Sequence, residues 1–418
     1  MGADGPRTLG SRAAILAAIA IATVLVPPLT ATASPPPGRP TALTFDVRSG
    51  AVAIDRDGNA FVAGFRVLDD AIAVIEKFDP DGVPIWTRTW SQPQAHATGD
   101  EVVVAPDGSV YLAGTVGSNH FEGGGWFLRK YDGDGTLLWS RDEPGWQRGR
   151  TSDRTSGLAV SGGAVLLAGS FSGCCGDFRQ RDGWVLAFGA SGRRLWRNAF
   201  EPGGDLNGFS DEAEAIVAGP GGGSYVGGWT ALGPESEERV ASHELLLQEL
   251  DPAGNVVWSR TYPSVAARDQ DFGVDLALHR RTLMVSALVA GHQVQLRARP
   301  GHAWLGRFTL SGEPIWWRTW GRSWTRAAEP SAVVVDRKGR IFVVGTRRDA
   351  SDHGLDGFLR AFSPSGRALW DRRLHVGRRF VVGADVAVRS RTVIATTEAL
   401  DARYGEGVAG SLWRLDLA

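Results

Sequence analysis

Eight histidines, two cysteines and a scatter of acids are the residues in this 418-residue chain with chemistry beyond packing. Seven of the histidines, His96, His120, His243, His292, His302, His353 and His375, fall in long connections between apolar runs, and only His279 sits in a tight turn. Long loops on a rigid scaffold gather binding residues, so these seven are candidates, against the plain alternative that histidine tolerates exposure. Asp100, Asp153, Asp211, Asp271, Glu329 and Asp385 each precede or open an apolar strand. Such a set could ring a hard cation such as calcium, which takes oxygen ligands, or make separate hydrogen bonds to loop backbone. Cys174 and Cys175 are adjacent and flanked by Gly173 and Gly176. Each must bond its neighbour, bond another chain or stay free. Neighbouring Cα atoms lie about 3.8 Å apart in trans, short of the roughly 5.5–6 Å of ordinary disulfides, so the expected vicinal disulfide between Cys174 and Cys175, eased by the two glycines, would be strained and reducible, with a free or intermolecular pair the alternative.

Nucleophile and metalloprotease motifs are missing: there is no G-x-S-x-G, no H-E-x-x-H and no phosphate loop. The D-x-D-G strings at Asp55, Asp79 and Asp132 echo a calcium loop, but a strand follows each and the bidentate Glu is lacking, so they read as turns. A dispersed carboxylate pair of the glycosidase kind stays open.

The elements that must position these residues form a repeat. Six segments end in a glycine turn and a tryptophan, among them FDPDGVPIW to Trp86, YDGDGTLLW to Trp139 and FSPSGRALW to Trp370. Gly stands four residues before Trp in all six, and the tryptophans are spaced by 53, 57, 62, 58 and 54. Ahead of each lies a hairpin pattern such as EVVVAPDGSVYLAG from Glu101, with apolar alternation on both sides of a short polar turn. A seventh hairpin and one further strand end the chain, while Ala42 to Asp46 has no unit of its own. The expected fold is therefore all-β: a seven-bladed β-propeller of four-stranded antiparallel blades, closed by the N-terminal strand pairing with the C-terminal blade. Its tight turns share one face and its long loops the other. Arg stands two after the tryptophan at Arg88, Arg141, Arg260, Arg318 and Arg372, with Asn198 the exception. On an outermost strand such charges discourage edge pairing and stack on tryptophan; the alternative is an anion- or glycan-binding stripe.

With 55 Gly and 16 Trp, the composition fits many tight turns and large aromatics. Net charge is −1, so no basic field exists to hold nucleic acid. Arg7 and Arg12, the apolar run Ala13 to Val26 and Ala31-Thr32-Ala33 form a signal-peptide pattern. The run is short for a spanning helix and Pro27-Pro28 interrupt it, which disfavours an uncleaved anchor. The expected organisation is a signal peptide over 1–33, a Pro-rich linker over 34–40 and the propeller over 41–418, in a secreted protein with no transmembrane anchor after cleavage.

The stretches DGNAFVAG at Asp57, DGSVYLAG at Asp107 and KYDGDGTLLW at Lys130 resemble secreted bacterial β-propeller repeat proteins of the SBBP type. That resemblance implies the fold and export and says little of activity. The tryptophan repeats are more distantly similar to those of quinoprotein propellers, although the Asp-to-Gly step from Asp79 to Gly82 is one residue shorter here. That likeness implies a vicinal disulfide ring facing a cofactor. The sequence thus supports a secreted scaffold that binds an extracellular ligand or protein partner on its long-loop face. The alternative is an extracellular carbohydrate-active hydrolase or lyase, or a quinone-dependent oxidoreductase, with its site at the central channel mouth.

Overall fold

The computed structural model describes residues 41–417 apart from 46, 68–69, 93–94, 118–123, 144–151, 173–180, 201–209, 232–242, 263–269, 291–301, 322–326, 349–354, 377–379 and 401–406. The signal-peptide and linker segments and the Cys174-Cys175 pair lie outside the described residues, as do His120, His292 and His353.

Strand β1 (Thr41–Phe45) is followed by blade 1, made of β2 (Arg48–Ile54), β3 (Ala60–Val67), β4 (Ala71–Phe78) and β5 (Pro84–Trp90). Blade 2 holds β6 (His96–Val104), β7 (Val110–Gly117), β8 (Gly125–Tyr131) and β9 (Leu137–Glu143). Blade 3 holds β10 (Ser152–Ser161), β11 (Ala164–Ser172), β12 (Arg181–Phe188) and β13 (Arg194–Phe200). Blade 4 holds β14 (Asp211–Ala218), β15 (Ser224–Ala231), β16 (His243–Leu250) and β17 (Val256–Tyr262). Blade 5 holds β18 (Gln270–His279), β19 (Thr282–Ala290), β20 (His302–Thr309) and β21 (Pro314–Trp320). Blade 6 holds β22 (Ala328–Val335), β23 (Ile341–Arg348), β24 (Leu355–Phe362) and β25 (Ala368–Leu374). Blade 7 takes β26 (Phe380–Arg389), β27 (Thr392–Leu400) and β28 (Gly407–Asp416), and its fourth strand is β1, antiparallel to β28 with Leu43 opposite Leu412. The ring therefore closes as the repeat count requires.

Each blade buries both faces, which is why its middle strands read as nearly unbroken apolar runs. Seven cores lie between neighbouring blades. Phe61 and Ile75 of blade 1 meet Leu112 and Phe127 of blade 2, and at the seam Val52 and Val62 meet Ile394 and Leu412 of blade 7.

The repeat tryptophans lock each blade to the next. Trp86 Nε1 donates to Gly133 O at 3.2 Å, and Arg88 Nε donates to Gly135 O at 2.7 Å. Both acceptors lie in the glycine turn of blade 2. Trp139 and Arg141 repeat the contact with Ala190 O and Gly192 O of blade 3. Asn198, the sequence exception, makes it too, donating to Gly254 O at 3.0 Å. The Arg guanidinium also stacks on its own tryptophan, 5.3 Å from the Trp86 ring centroid. Gly135 has φ 81°, and a Cβ there would sit 2.9 Å from the Trp86 indole; the turn needs glycine both for its left-handed backbone and for the indole above it. At the seam, Leu43 covers Gly82 and Arg414 donates to Pro80 O, replacing the tryptophan and arginine.

The D-x-D-G strings are turns. Asp132 Oδ1 accepts the backbone N–H groups of Asp134 and Thr136 at 3.0 and 2.8 Å, and Asp79 does the same for Asp81 and Val83. This is the local side-chain bonding by which Asp initiates turns.

Candidate functional site: the bulge ring of the central channel

The innermost strands β2, β6, β10, β14, β18, β22 and β26 abut one another around the ring. Every one carries a β-bulge at the same level: between Ser49 and Ala51, Gly99 and Glu101, Thr155 and Gly157, Ala213 and Ala215, Phe272 and Asp275, Pro330 and Ala332, and Gly383 and Val386. A bulge bends the strand and re-aims a side chain.

The cause lies on the second strand. Five blades place a glycine opposite the bulge, namely Gly64, Gly114, Gly169, Gly228 and Gly345. A Cβ on Gly114 would stand 1.9 Å from Thr98 O, which is backbone and cannot swing away. In blades 5 and 7 the glycine gives way to Ala287 and Thr396, and two inner-strand residues go unpaired instead of one. We therefore expect Gly114→Ala to destabilise the protein by about 3 kcal/mol or more, the scale of severe overpacking. Urea denaturation checks it; a midpoint within error of wild type would remove the glycine from the bulge's cause.

The bulges bring Asp100, Glu101, Glu214, Asp275 and Asp385 to the channel, with hydroxyls of Ser156 and Ser331 at the same level. Two adjoining cavities of about 480 and 260 Å³ share Glu101 and Glu214 in their walls, the larger reaching Thr98 and Arg154. Most of these polar groups tie one blade to the next. Asp385 Oδ2 accepts the Val52 N–H at 2.7 Å, Glu214 Oε2 that of Val274 at 2.6 Å, and Asp275 Oδ2 that of Val333 at 2.6 Å. Ser156 and Ser331 donate to Ala213 O and Gly383 O. Asp100 Oδ2 accepts from Thr115 Oγ1 in its own blade at 2.6 Å and from Thr155 Oγ1 of blade 3 at 2.8 Å.

Burial in the narrow channel raises every one of these carboxyls. Glu214 and Asp275 are each pushed to about 7 and Asp385 to about 6, with the backbone N–H bonds pulling partly back. Burial also lifts Asp100, against the hydroxyls that hold it. Glu101 is held well above the usual carboxylate range, first by burial and then by the charges of Asp385, Asp275 and Asp100. It thus combines the densest acidic surroundings with a place on both cavities.

Of the six acids read from the sequence, the structure brings Asp100 and Asp385 to the channel. Asp153 and Asp211 are buried near the starts of β10 and β14, opposite Phe171 and Thr230. Glu329 lies exposed in β22 opposite Thr346. Asp271 lies in β18 opposite Val289, and its side chain is outside the described residues. Glu101, Glu214 and Asp275 complete the channel set. The signal that could have found Glu101 and Glu214 is the glycine near the end of their hairpins, Gly114 and Gly228, which marks the bulge and shifts which residue of the inner strand turns inward; Asp275, in a blade where Ala287 replaces the glycine, carries no such signal.

The described histidines serve separate blades. His96 Nδ1 accepts the Ala71 N–H at 2.8 Å. Buried His243 stands edge-on to Trp229, 4.4 Å between centroids. His302 opens β20, and His375 Nδ1 lies 2.9 Å from Asp356. Three of these four therefore open strands, and His375 directly follows β25. Among the described residues, no three of His, Cys, Asp or Glu stand close enough to hold a metal ion, and no helix is long and apolar enough to cross a membrane.

No protein-family model matches the chain, and no curated protein sequence matches it. Solved structures do. The chain is similar to the polysaccharide lyase Uly1, with a TM-score of 0.55 and 11% identity over 89% of this chain and 90% of that one. The full extracellular region of plexin A4 gives a TM-score of 0.53 and 10% identity over 90% of this chain and 51% of that one. The Trypanosoma rangeli sialidase in complex with the inhibitor DANA gives 0.49 and 10%, over 90% and 60%. At such identities the likeness is one of fold, and the class it defines is the β-propeller, here with seven blades.

Proposed function

We propose that this protein is a secreted, non-enzymatic scaffold that binds its ligand on the long-loop face, the ligand inserting a positively charged ammonium or guanidinium group into the channel toward Glu101. One observation carries the reading. Of the five channel carboxylates, Asp385, Glu214 and Asp275 are tied to backbone and Asp100 to two hydroxyls, whereas Glu101, which shares both cavities with Glu214, feels the charges of Asp385, Asp275 and Asp100 together. Convergence of acids here follows from blade-to-blade bonding, so it does not by itself demand acid–base catalysis. Export rests on the signal-peptide pattern of residues 1–33.

Titration with agmatine, a small molecule bearing both cationic groups, tests the reading. Glu101→Gln is expected to weaken its binding by about tenfold, near the 1.4 kcal/mol expected of one charge-assisted hydrogen bond. Equal affinity in the variant would contradict it. The raised carboxyls Glu214 and Asp275 favour a second reading, a carbohydrate-active enzyme with a protonated acid at neutral pH. Release of new saccharide ends from an acidic polysaccharide by the wild type would put that reading first.

A further inference from the structure

The tight-turn face is electrically divided. The four turns of blades 1 and 2 (residues 55–59, 79–83, 105–109 and 132–136) hold seven acids and one base, Arg56. The five turns of blades 5 to 7 (279–282, 309–313, 336–340, 363–367 and 389–392) hold eight bases and two acids. Both sets sit at the ends of antiparallel strands that point the same way, so they share one face. On the acidic side, Asp57, Asp81 and Asp134 are exposed, the turn-capping bonds being made by Asp55, Asp79 and Asp132. On the basic side, Arg281, Arg337 and Lys338 are exposed and Arg389 is half-exposed. Between the two sectors lie blade 3, whose turns carry a single charge, Arg193, and blade 4, whose turns carry only Asp251 and whose exposed Val256 and Val257 are 45% and 58% accessible.

From this arrangement we infer that the tight-turn face is a self-association surface, and that two copies of the chain stack on it head to head. A twofold axis lying between two such faces and running over blade 4 exchanges the sectors. Blade 1 of one copy then faces blade 7 of the other, blade 2 faces blade 6, and blade 3 faces blade 5. Every acidic sector meets a basic one, twice over, as an isologous interface demands. Blade 4 meets its own counterpart through Val256 and Val257, with few charges to desolvate. A net charge of −1 leaves no overall repulsion against the pairing. The dimer turns both long-loop faces outward, so two channel mouths point away from each other. This assignment is independent of what the channel binds.

Sedimentation velocity on the purified protein tests it. The wild type is expected to dimerise in about 50 mM salt and to weaken by about tenfold or more in about 0.5 M salt, where exposed charges are screened beyond a few ångströms. A face made all-acidic (Arg281→Glu, Arg337→Glu, Arg389→Glu) and one made all-basic (Asp57→Lys, Asp81→Lys, Asp134→Lys) should each be monomeric alone and dimerise when mixed. Wild type monomeric at about 100 µM in low salt, far above the dissociation constant of a standard-sized interface, would overturn the proposal. So would variants that dimerise alone, or a folded pair that stays monomeric on mixing. Salt dependence of the wild type decides the matter if a variant fails to fold. A monomer that instead sediments with phosphatidylserine vesicles would also overturn it and give the basic sector to a membrane surface.

Discussion

Removing Thr41 to Phe45 should lower the unfolding free energy by about 4–6 kcal/mol. The five residues of β1 pair with β28 from Arg414 to Gly410, and a net contribution of about 1 kcal/mol per backbone hydrogen bond makes that pairing substantial. Leu43 adds burial over Gly82 at the seam, about 1.5–3 kcal/mol for a Leu side chain. Among the described residues the seam is also the smallest of the seven interblade cores, with six buried residues against twelve between blades 6 and 7. An opened ring would separate there first. Guanidinium unfolding of the truncated protein measures the loss, and a midpoint equal to that of the full chain would contradict closure by β1.

Stability should also fall as pH rises from about 4 to about 7. The folded state raises Glu214 and Asp275 to about 7 and Asp385 to about 6, above the ordinary carboxylate values near 4 of the unfolded chain. Between those limits the folded state binds more protons than the unfolded one. The slope of unfolding free energy with pH is therefore negative. The contribution is complete below the unfolded values and is lost as pH climbs through 6 to 7. At about 1.4 kcal/mol per pKa unit, Glu214 and Asp275 should each lose about 2.5 kcal/mol and Asp385 about 1.4 between pH 5 and pH 8, roughly 6 kcal/mol together. Denaturation midpoints across that range report it. Asp385→Asn keeps an acceptor for the Val52 N–H and removes that group's own titration, so it should make the profile shallower while Glu214 and Asp275 still titrate. A protein more stable at pH 8 than at pH 5 would contradict the picture of proton-holding carboxyls in the channel.

Much of this architecture can be read from the sequence because it is periodic. Gly four before Trp marks both the left-handed turn and the indole that lies on the turn of the next blade. The orphan strand at Ala42 and the missing fourth strand of blade 7 predict each other. The channel set was only half legible, for a physical reason. Counting back to the nearest acid reaches Asp153 and Asp211, but an unpaired bulge residue breaks the strict alternation by which a strand's side chains are assigned to faces. Which residue turns inward is decided on the neighbouring strand, by the presence of Gly114 and its equivalents or their replacement by Ala287 and Thr396. Asn198 makes the complementary point: it breaks the arginine pattern yet reaches the same carbonyl of the next turn, because geometry there asks for a donor and not for a charge.

The central claim, a cation-receiving channel centred on Glu101, is tested most directly by calorimetric titration of agmatine at pH 6 and pH 8. Burial, and then the charges of Asp385, Asp275 and Asp100, raise the Glu101 carboxyl well above the usual carboxylate range, whereas a bound cation favours its ionised form. Binding should therefore release protons, seen as a heat that changes with buffer ionisation enthalpy, and should be tighter at pH 8 than at pH 6. Glu101→Gln should abolish both the proton release and the pH dependence. Agmatine affinity that is the same at both pH values and in Glu101→Gln would contradict the account.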